Sequence, residues 1–390
     1  MNQNSKTTTR RMRTLIIGAG IAGLTLAALM RQRGEEPLVI ERELSLDDLG
    51  YMLGLYPMGA RVLFGLGLHE KYMAHSISMY HYNIGNGKGK IIREYSLQDV
   101  AKRYGPIQGI SRGQLVSLLL EALDDLPIHF GTTVTALRQR GEVVEVEFSD
   151  GSSSDFDLVV AADGLHSHTR RTILSENEYA YWSTGWGGWV FWDDLGEAQL
   201  DTYTEYWGAG RFLGLYPVKD RLGIFIGGPT SKTKNVSMEK FIEDVMRRFE
   251  HPVLPSGNTL KPDSSDDPFY WDFHDCRSAV WRKGRIILLG DAATGFIPTA
   301  GVGATMAMES AAALNDELSR TGTERVEQAL DLYEKRHRKR VESAQESSRQ
   351  LGKMMFVNSP LLAWGRDQLL NFYTLEELVR SIAKLADEPI

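Results

Sequence analysis

The sequence predicts an α/β fold in which a βαβ unit near the N-terminus is interleaved with an antiparallel sheet and followed by C-terminal helices. Three observations carry that expectation. A β-branched and apolar run at 14–17 leads into Gly18-x-Gly20-x-x-Gly23, a helix-forming stretch at 24–33 closed by Gly34, and a second apolar run at 38–40. Two further apolar runs, 157–162 and 285–289, stop at Asp163-Gly164 and Gly290-Asp291. By contrast, 76–95 and 179–228 alternate between turns as antiparallel strands do, with 211–218 and 222–227 flanking Lys219-Asp220-Arg221.

Strand, glycine loop, helix and strand in that order form a Rossmann-type unit. Gly18 permits the tight turn, Gly20 lets backbone approach a pyrophosphate, and Gly23 allows close helix packing. Ile21 and Ala22 belong to the same loop and are candidate cofactor-binding residues, and the helix N-terminus that follows offers free N–H groups and a positive dipole end to phosphate. Glu41, at the end of the second strand, is placed to accept ribose hydroxyls, with Arg42 beside it. This unit alone does not separate NAD from FAD. Asp163 and Asp291 bear on the choice: both stand at strand C-termini, the side on which open α/β sheets bind ligands, although Asp-Gly pairs are also common turns.

The chain has 390 residues, 42% hydrophobic and 24% charged, with a net charge of -7. That length exceeds what one core usually covers, and the charge gives no nucleic-acid footprint. The basic run 336–340 lies among acidic residues and is expected to be a solvated helix face. The single cysteine, Cys276, is expected to be a buried, inert thiol in a reducing compartment. Arg10, Arg11 and Arg13 before the apolar stretch 15–30 imitate a secretory signal, but the glycine motif interrupts it. With no run of transmembrane length, a cytoplasmic protein without a membrane span is expected. No spacing of histidine, cysteine or carboxylate suggests a metal site, and no Gly-x-Ser-x-Gly elbow is present.

After Asp291 the sequence continues through Pro298, Gly301, Val302 and Gly303 into an alanine- and methionine-rich helix. Three blocks, the glycine motif, Asp163-Gly164 with Ser167 and Arg170, and Gly290-Asp291 with Pro298, Gly301 and Gly303, resemble the para-hydroxybenzoate hydroxylase type of FAD-dependent monooxygenases. Their order and spacing match that family over roughly 13–345. The resemblance implies FAD, with NADPH or NADH as electron donor and dioxygen as co-substrate, and hydroxylation of an aromatic or polycyclic substrate through a C4a-hydroperoxyflavin. It implies that Gly18, Gly20 and Gly23 contact pyrophosphate, that Glu41 and Arg42 hold the adenosine end, and that Arg112, just after the potential cap Ser111, reaches FAD phosphate or ribose. Asp291 is implied at the ribityl chain, Pro298 and 301–303 at the isoalloxazine, and Asp163-Gly164 at both flavin and NAD(P)H.

Departures from the family are visible too. Thr294 stands where many relatives carry histidine, Thr305 where asparagine is common, and Asp47 and Asp48 near where an arginine often precedes Gly50. The stretch 50–68, with Gly54, Pro57 and Gly67-Leu68, resembles the family loop and helix after the second strand. The resemblance divides the chain into an FAD-binding domain (1–75, 101–178, 272–345), a substrate domain (76–100, 179–271) and a C-terminal helical segment (346–390), with helices over 326–346 and 360–386.

Trp182, Trp186, Trp189, Trp192 and Trp207 are five of the eight tryptophans, and strand packing accounts for any one of them as well as ligand contact does. Trp189, Tyr216 with Pro217, and Pro298 are the candidate substrate-facing residues. No catalytic base is nominated; His166, His168 and His274 have no telling spacing. A prenyl-lipid reductase-like enzyme or halogenase on the same fold, an NAD-dependent dehydrogenase and a non-catalytic flavin-binding protein remain open alternatives. Oligomeric state is not legible in the sequence.

Overall fold

The computed structural model describes residues 11–46, 50–196, 198–254 and 268–370, together with the single positions 260, 372 and 387. Asp47, Asp48 and positions 373–386 of the expected final helix lie outside the described residues.

Six strands form the first sheet, in the spatial order Arg282–Lys283, Ile286–Leu288, Leu158–Ala161, Thr14–Ile17, Leu38–Ile40 and Ile128–His129. All neighbours are parallel except the first pair. The central strands are buried on both faces, which is why they read as unbroken apolar runs. One face, with Ile16 and Val160, packs on the helices Ile21–Gln32, Arg112–Glu121 and Gly303–Ser319. The other face, with Leu15, Ile17 and Val159, packs on a three-stranded antiparallel sheet whose Val144, Val146 and Phe156 point inward. Burying leucines such as Leu24 and Leu26 completely contributes about 1.5–3 kcal/mol each.

A second large sheet has seven strands, ordered Phe269–Ser278, Tyr179–Asp193, Leu222–Pro229, Arg211–Pro217, Thr202–Gly208, His81–Asn86 and Ile91–Ser96. It is antiparallel except where Thr202–Gly208 runs parallel to His81–Asn86, because these two strands come from distant segments rather than from a hairpin. Helix Met238–Met246 covers its outer face through Phe241, Ile242 and Val245. The inner face looks toward the 298–302 turn. A small sheet of Met52–Leu55, Ile107–Ser111 and Ile77–Met79 lies beside it.

Several features depart from the sequence-based reading. The break expected at 271/272 falls inside Phe269–Ser278, which stays paired with Tyr179–Asp193 up to Ser278. Ile77–Met79 pairs with Ile107–Ser111 rather than joining the seven-stranded sheet. The helix expected to end at 346 runs on as Val326–Met355. Its basic run is not a wholly solvated face: His337 and Arg340 are buried, Arg340 forming two hydrogen bonds of 3.0 and 2.8 Å to buried Glu309, and His337 one of 2.9 Å with Ser310. A 3.6-residue period sends these two inward while Arg336 and Arg338 stay in partly exposed ion pairs. Cys276 is buried, as expected. No helix among the described residues is long and apolar enough to cross a membrane.

Candidate active site

The glycine loop has the shape its sequence requires. Gly18 adopts φ +103°, and a Cβ there would lie 2.5 Å from the Ala162 carbonyl oxygen. A Cβ at Gly23 would lie 2.0 Å from the Gly18 oxygen, so the helix packs directly on the loop. At Gly20 nothing lies within 4 Å of a Cβ. That open side adjoins the start of helix Ile21–Gln32, which has no side-chain cap and no acid in its first turn. Its first N–H groups, at Ile21, Ala22 and Gly23, have no intrahelical acceptors and favour an anion.

The three sequence blocks converge here. Asp163 and Gly164 follow Ala162 against Gly18, and a Cβ on Gly290 would lie 2.8 Å from the Ala22 Cβ. Arg170, fully buried, ties the second block to the third: it donates to the carbonyls of Leu165 (2.5 Å) and Ala292 (2.8 Å). Asp163 is engaged within its own loop, accepting from Ser167 Oγ (2.5 Å) and the Thr169 N–H (2.9 Å) and so capping the short helix His168–Ile173. Glu41 accepts from the N–H groups of Ala19 (2.8 Å) and Glu43 (3.0 Å), which leaves a lone pair on each oxygen for a ligand. Arg42 is exposed and paired with Glu43 at 3.0 Å.

Asp291 differs from the other two acids. Its carboxylate meets no hydrogen-bond donor among the described residues, and burial pushes its pKa up to about 6 against the lowering effect of Arg112 and Arg170. Arg112 begins helix Arg112–Glu121, capped by Ser111, which accepts from the Gln114 N–H at 3.1 Å. Its guanidinium sits 5.5 Å from the centre of the Tyr51 ring.

Beyond Asp291, the turn at 298–302 forms one wall of a cavity of about 370 Å3. The opposite wall is the inner face of the seven-stranded sheet, through Tyr82, Val190, Tyr203, Glu205, Tyr216, Phe225 and Trp271. The Gln350, Leu351 and Met354 turn of the long helix and the 51–56 segment close the sides. Tyr56 links two walls: its hydroxyl donates to the Ala300 carbonyl at 2.8 Å and its N–H to Thr305 Oγ1 at 3.1 Å. Thr305 thus anchors the start of helix Pro57–Gly65 to helix Gly303–Ser319. Thr294 is buried, its hydroxyl without a partner.

Of the candidate substrate residues, Tyr216 and Pro298 line the cavity. The structure does not bring Trp189 there; it packs on the outer-face cluster with its ring 4.9 Å from Tyr270. Pro217 is buried outside the lining. Trp186 stacks on Phe356 at 4.9 Å, and Trp182 and Trp192 lie under Arg349 and Arg221. The sequence does not single out Tyr56, Tyr82, Glu205 or Trp271, which do line the cavity. Period-two alternation within each strand could place Tyr82, Glu205 and Trp271 on one face of the sheet, but it gives none of them a role, and Tyr56 lies outside that sheet.

These residues fit a flavin dinucleotide: an uncapped helix start beside an open glycine, an acid at the second strand, an unpartnered half-buried Asp291, and an apolar cavity at the next turn. A plain nicotinamide dinucleotide accounts for the first two features only. The chain belongs to the family described as FAD binding domain, which matches residues 11–348, and it is an FAD-dependent monooxygenase. It is 31% identical to the 3-amino-4-hydroxybenzoate 2-monooxygenase of Streptomyces cremeus, over 78% of each chain. It is 27% identical to the 6-hydroxynicotinate 3-monooxygenase of Pseudomonas fluorescens, over 95% of this chain and 99% of the relative. The crystal structure of HpxO from Klebsiella pneumoniae, complexed with FAD and uric acid, superposes with a TM-score of 0.85 at 26% identity, covering 96% of both chains.

Proposed function

We propose that the chain hydroxylates a small aromatic substrate held in the cavity between the 298–302 turn and the seven-stranded sheet. The observation that carries this reading is that mostly apolar cavity, one of whose lining residues, Tyr51, is within electrostatic reach of Arg112 and Asp291. When bound, FAD would supply the redox chemistry, accepting hydride from NADPH or NADH and activating dioxygen.

The chain's residues divide that work. Gly18, Gly20 and the N–H groups of Ile21, Ala22 and Gly23 bind pyrophosphate; Glu41 and Arg42 serve the adenosine end. Arg112 supplies positive charge, and Asp291 accepts ribityl hydroxyls. Asp163 and Gly164 shape the loop beside them. Pro298, Gly301, Val302 and Gly303 position the ring system, with the N-terminus of helix Gly303–Ser319 favouring negative charge there. Tyr216, Phe225 and Trp271 cover the substrate and exclude water, which suppresses loss of oxidant as hydrogen peroxide. Among the described residues, those of 11–75, 101–178 and 279–345 form the FAD-binding part and those of 76–100 and 179–278 the substrate part, while the 346–355 end of helix Val326–Met355 helps close the cavity. The reaction is placed in the cytoplasm, where reduced nicotinamides are available.

Oxygen uptake by the purified flavoprotein with NADPH or NADH tests this reading. Hydroxyarenes are expected to stimulate uptake and to be consumed in step with it. Flavin reduction without oxygen-dependent substrate loss contradicts it and favours a reductase.

A further inference from the structure

Glu205 is the one carboxylate among the described residues lining the cavity, and no lysine, arginine or histidine accompanies it there. It lies on Thr202–Gly208, 5% exposed, and every donor that reaches it is neutral. Tyr82 Oη and Trp207 Nε1 donate to Oε2 at 2.7 and 2.8 Å, and Tyr216 Oη donates to Oε1 at 2.7 Å. The indole N–H can only donate, and neither tyrosine hydroxyl has another acceptor among the described residues. The three together fit a carboxylate that only accepts. Burial raises the Glu205 pKa, and the three hydrogen bonds oppose that rise without cancelling it, so the charged form rests on these three donors.

A carboxylate has about four acceptor positions. Two on Oε2 and one on Oε1 are taken, which leaves one on Oε1, in a wall of the cavity. A substrate N–H or O–H donor completes the set. A substrate carboxylate instead meets a like charge with no cation at hand, in surroundings where water screens poorly.

We propose that Glu205 is the specificity-determining residue of this cavity, selecting neutral or cationic hydroxyarenes that carry a hydrogen-bond donor, such as a carboxamide or an amine, and rejecting aryl carboxylates. The selection rests on the cavity being the aromatic-substrate site. Tyr82 and Tyr216, one on each side of Thr202–Gly208 in the sheet, hold the carboxylate in place.

A matched pair of probes tests it: a hydroxynaphthamide and the hydroxynaphthoate of the same substitution pattern, titrated into the FAD-loaded enzyme and followed by calorimetry and by the flavin absorbance change. The amide is expected to bind at least about tenfold tighter, the discrimination a like-charge contact imposes. Glu205→Gln, with flavin content unchanged, is expected to narrow that ratio at least about fivefold, since the repulsion is lost and the side-chain amide can donate. Equal or tighter binding of the naphthoate by the wild-type enzyme overturns the proposal, whether or not the variant folds. So does binding of neither probe, or an unchanged ratio in a folded variant. Turnover of the bound amide with NADPH is scored separately: its absence counts against the hydroxylase reading and leaves the charge selection standing.

Discussion

The six-stranded sheet offers the proposed cofactor site its backbone, at strand ends joined by glycine turns, whereas the seven-stranded sheet meets the cavity with the side chains of one face. The first arrangement is local. Gly18 and Asp291 each occupy a turn directly after an apolar strand, and Gly23 lies in the helix start packed on the first of them, so a few adjacent residues specify both the turn and its opening. The second is assembled from distant segments: the hydrogen bond from Tyr82 to Glu205 joins residues 123 positions apart. A backbone site therefore tolerates change in the residues around it but not at its glycines. A side-chain site depends on register, and a one-residue shift would carry Glu205 to the opposite face.

The largest effect is expected at the backbone site. Gly18→Val forces a branched side chain into a positive-φ turn against the Ala162 carbonyl, at a cost of about 3 kcal/mol or more. Flavin content of the purified variant should be lost, and full flavin occupancy would remove the loop from the cofactor site.

Asp291→Asn should show a smaller, two-sided effect. It removes a charged acceptor, weakening FAD binding by about 1–3 kcal/mol. In the apoprotein its sign reverses. Because the folded-state pKa is raised from 3.8 to about 6, the native chain holds this proton more tightly than the unfolded chain. The stability tied to that proton is fully present below pH 3.8 and is lost as pH rises through about 6. Asparagine has no such loss. Discounted for partial exposure, the variant apoprotein should be more stable by about 1–2 kcal/mol at neutral pH and lack the decline between pH 4 and 6 expected of the wild type. Thermal unfolding of both apoproteins across that range checks this; parallel pH profiles would count against a buried, unpartnered Asp291.

The smallest effect is expected at Trp189, on the outer face of the seven-stranded sheet. Trp189→Phe should reduce stability by about 0.5–1.5 kcal/mol and leave substrate KM within about twofold. A tenfold change in KM would place that ring at the ligand after all.

The same contrast explains what was legible beforehand. The parallel strands, the glycine loop and the two aspartates could be read because strand, turn and helix start follow one another in the sequence. Trp189 was misplaced because tryptophans at 186, 189 and 192 do not share one parity, and the register shift between Ser183 and Gly187 breaks simple alternation further. Alternation alone gives Glu205 a face but no role, since a lone acid in a strand acquires its meaning only from Tyr82, Trp207 and Tyr216. The inward turn of His337 and Arg340 was hidden for a similar reason: their partners Ser310 and Glu309 lie on another helix.

The most direct measurement supplies isotopically heavy dioxygen to the FAD-loaded enzyme with NADPH and a neutral hydroxyarene, and reads the product by mass spectrometry. One heavy oxygen atom per product molecule is the predicted result. Product oxygen drawn from water, or hydrogen peroxide formed over unaltered substrate, would contradict a hydroxylase built around this cavity.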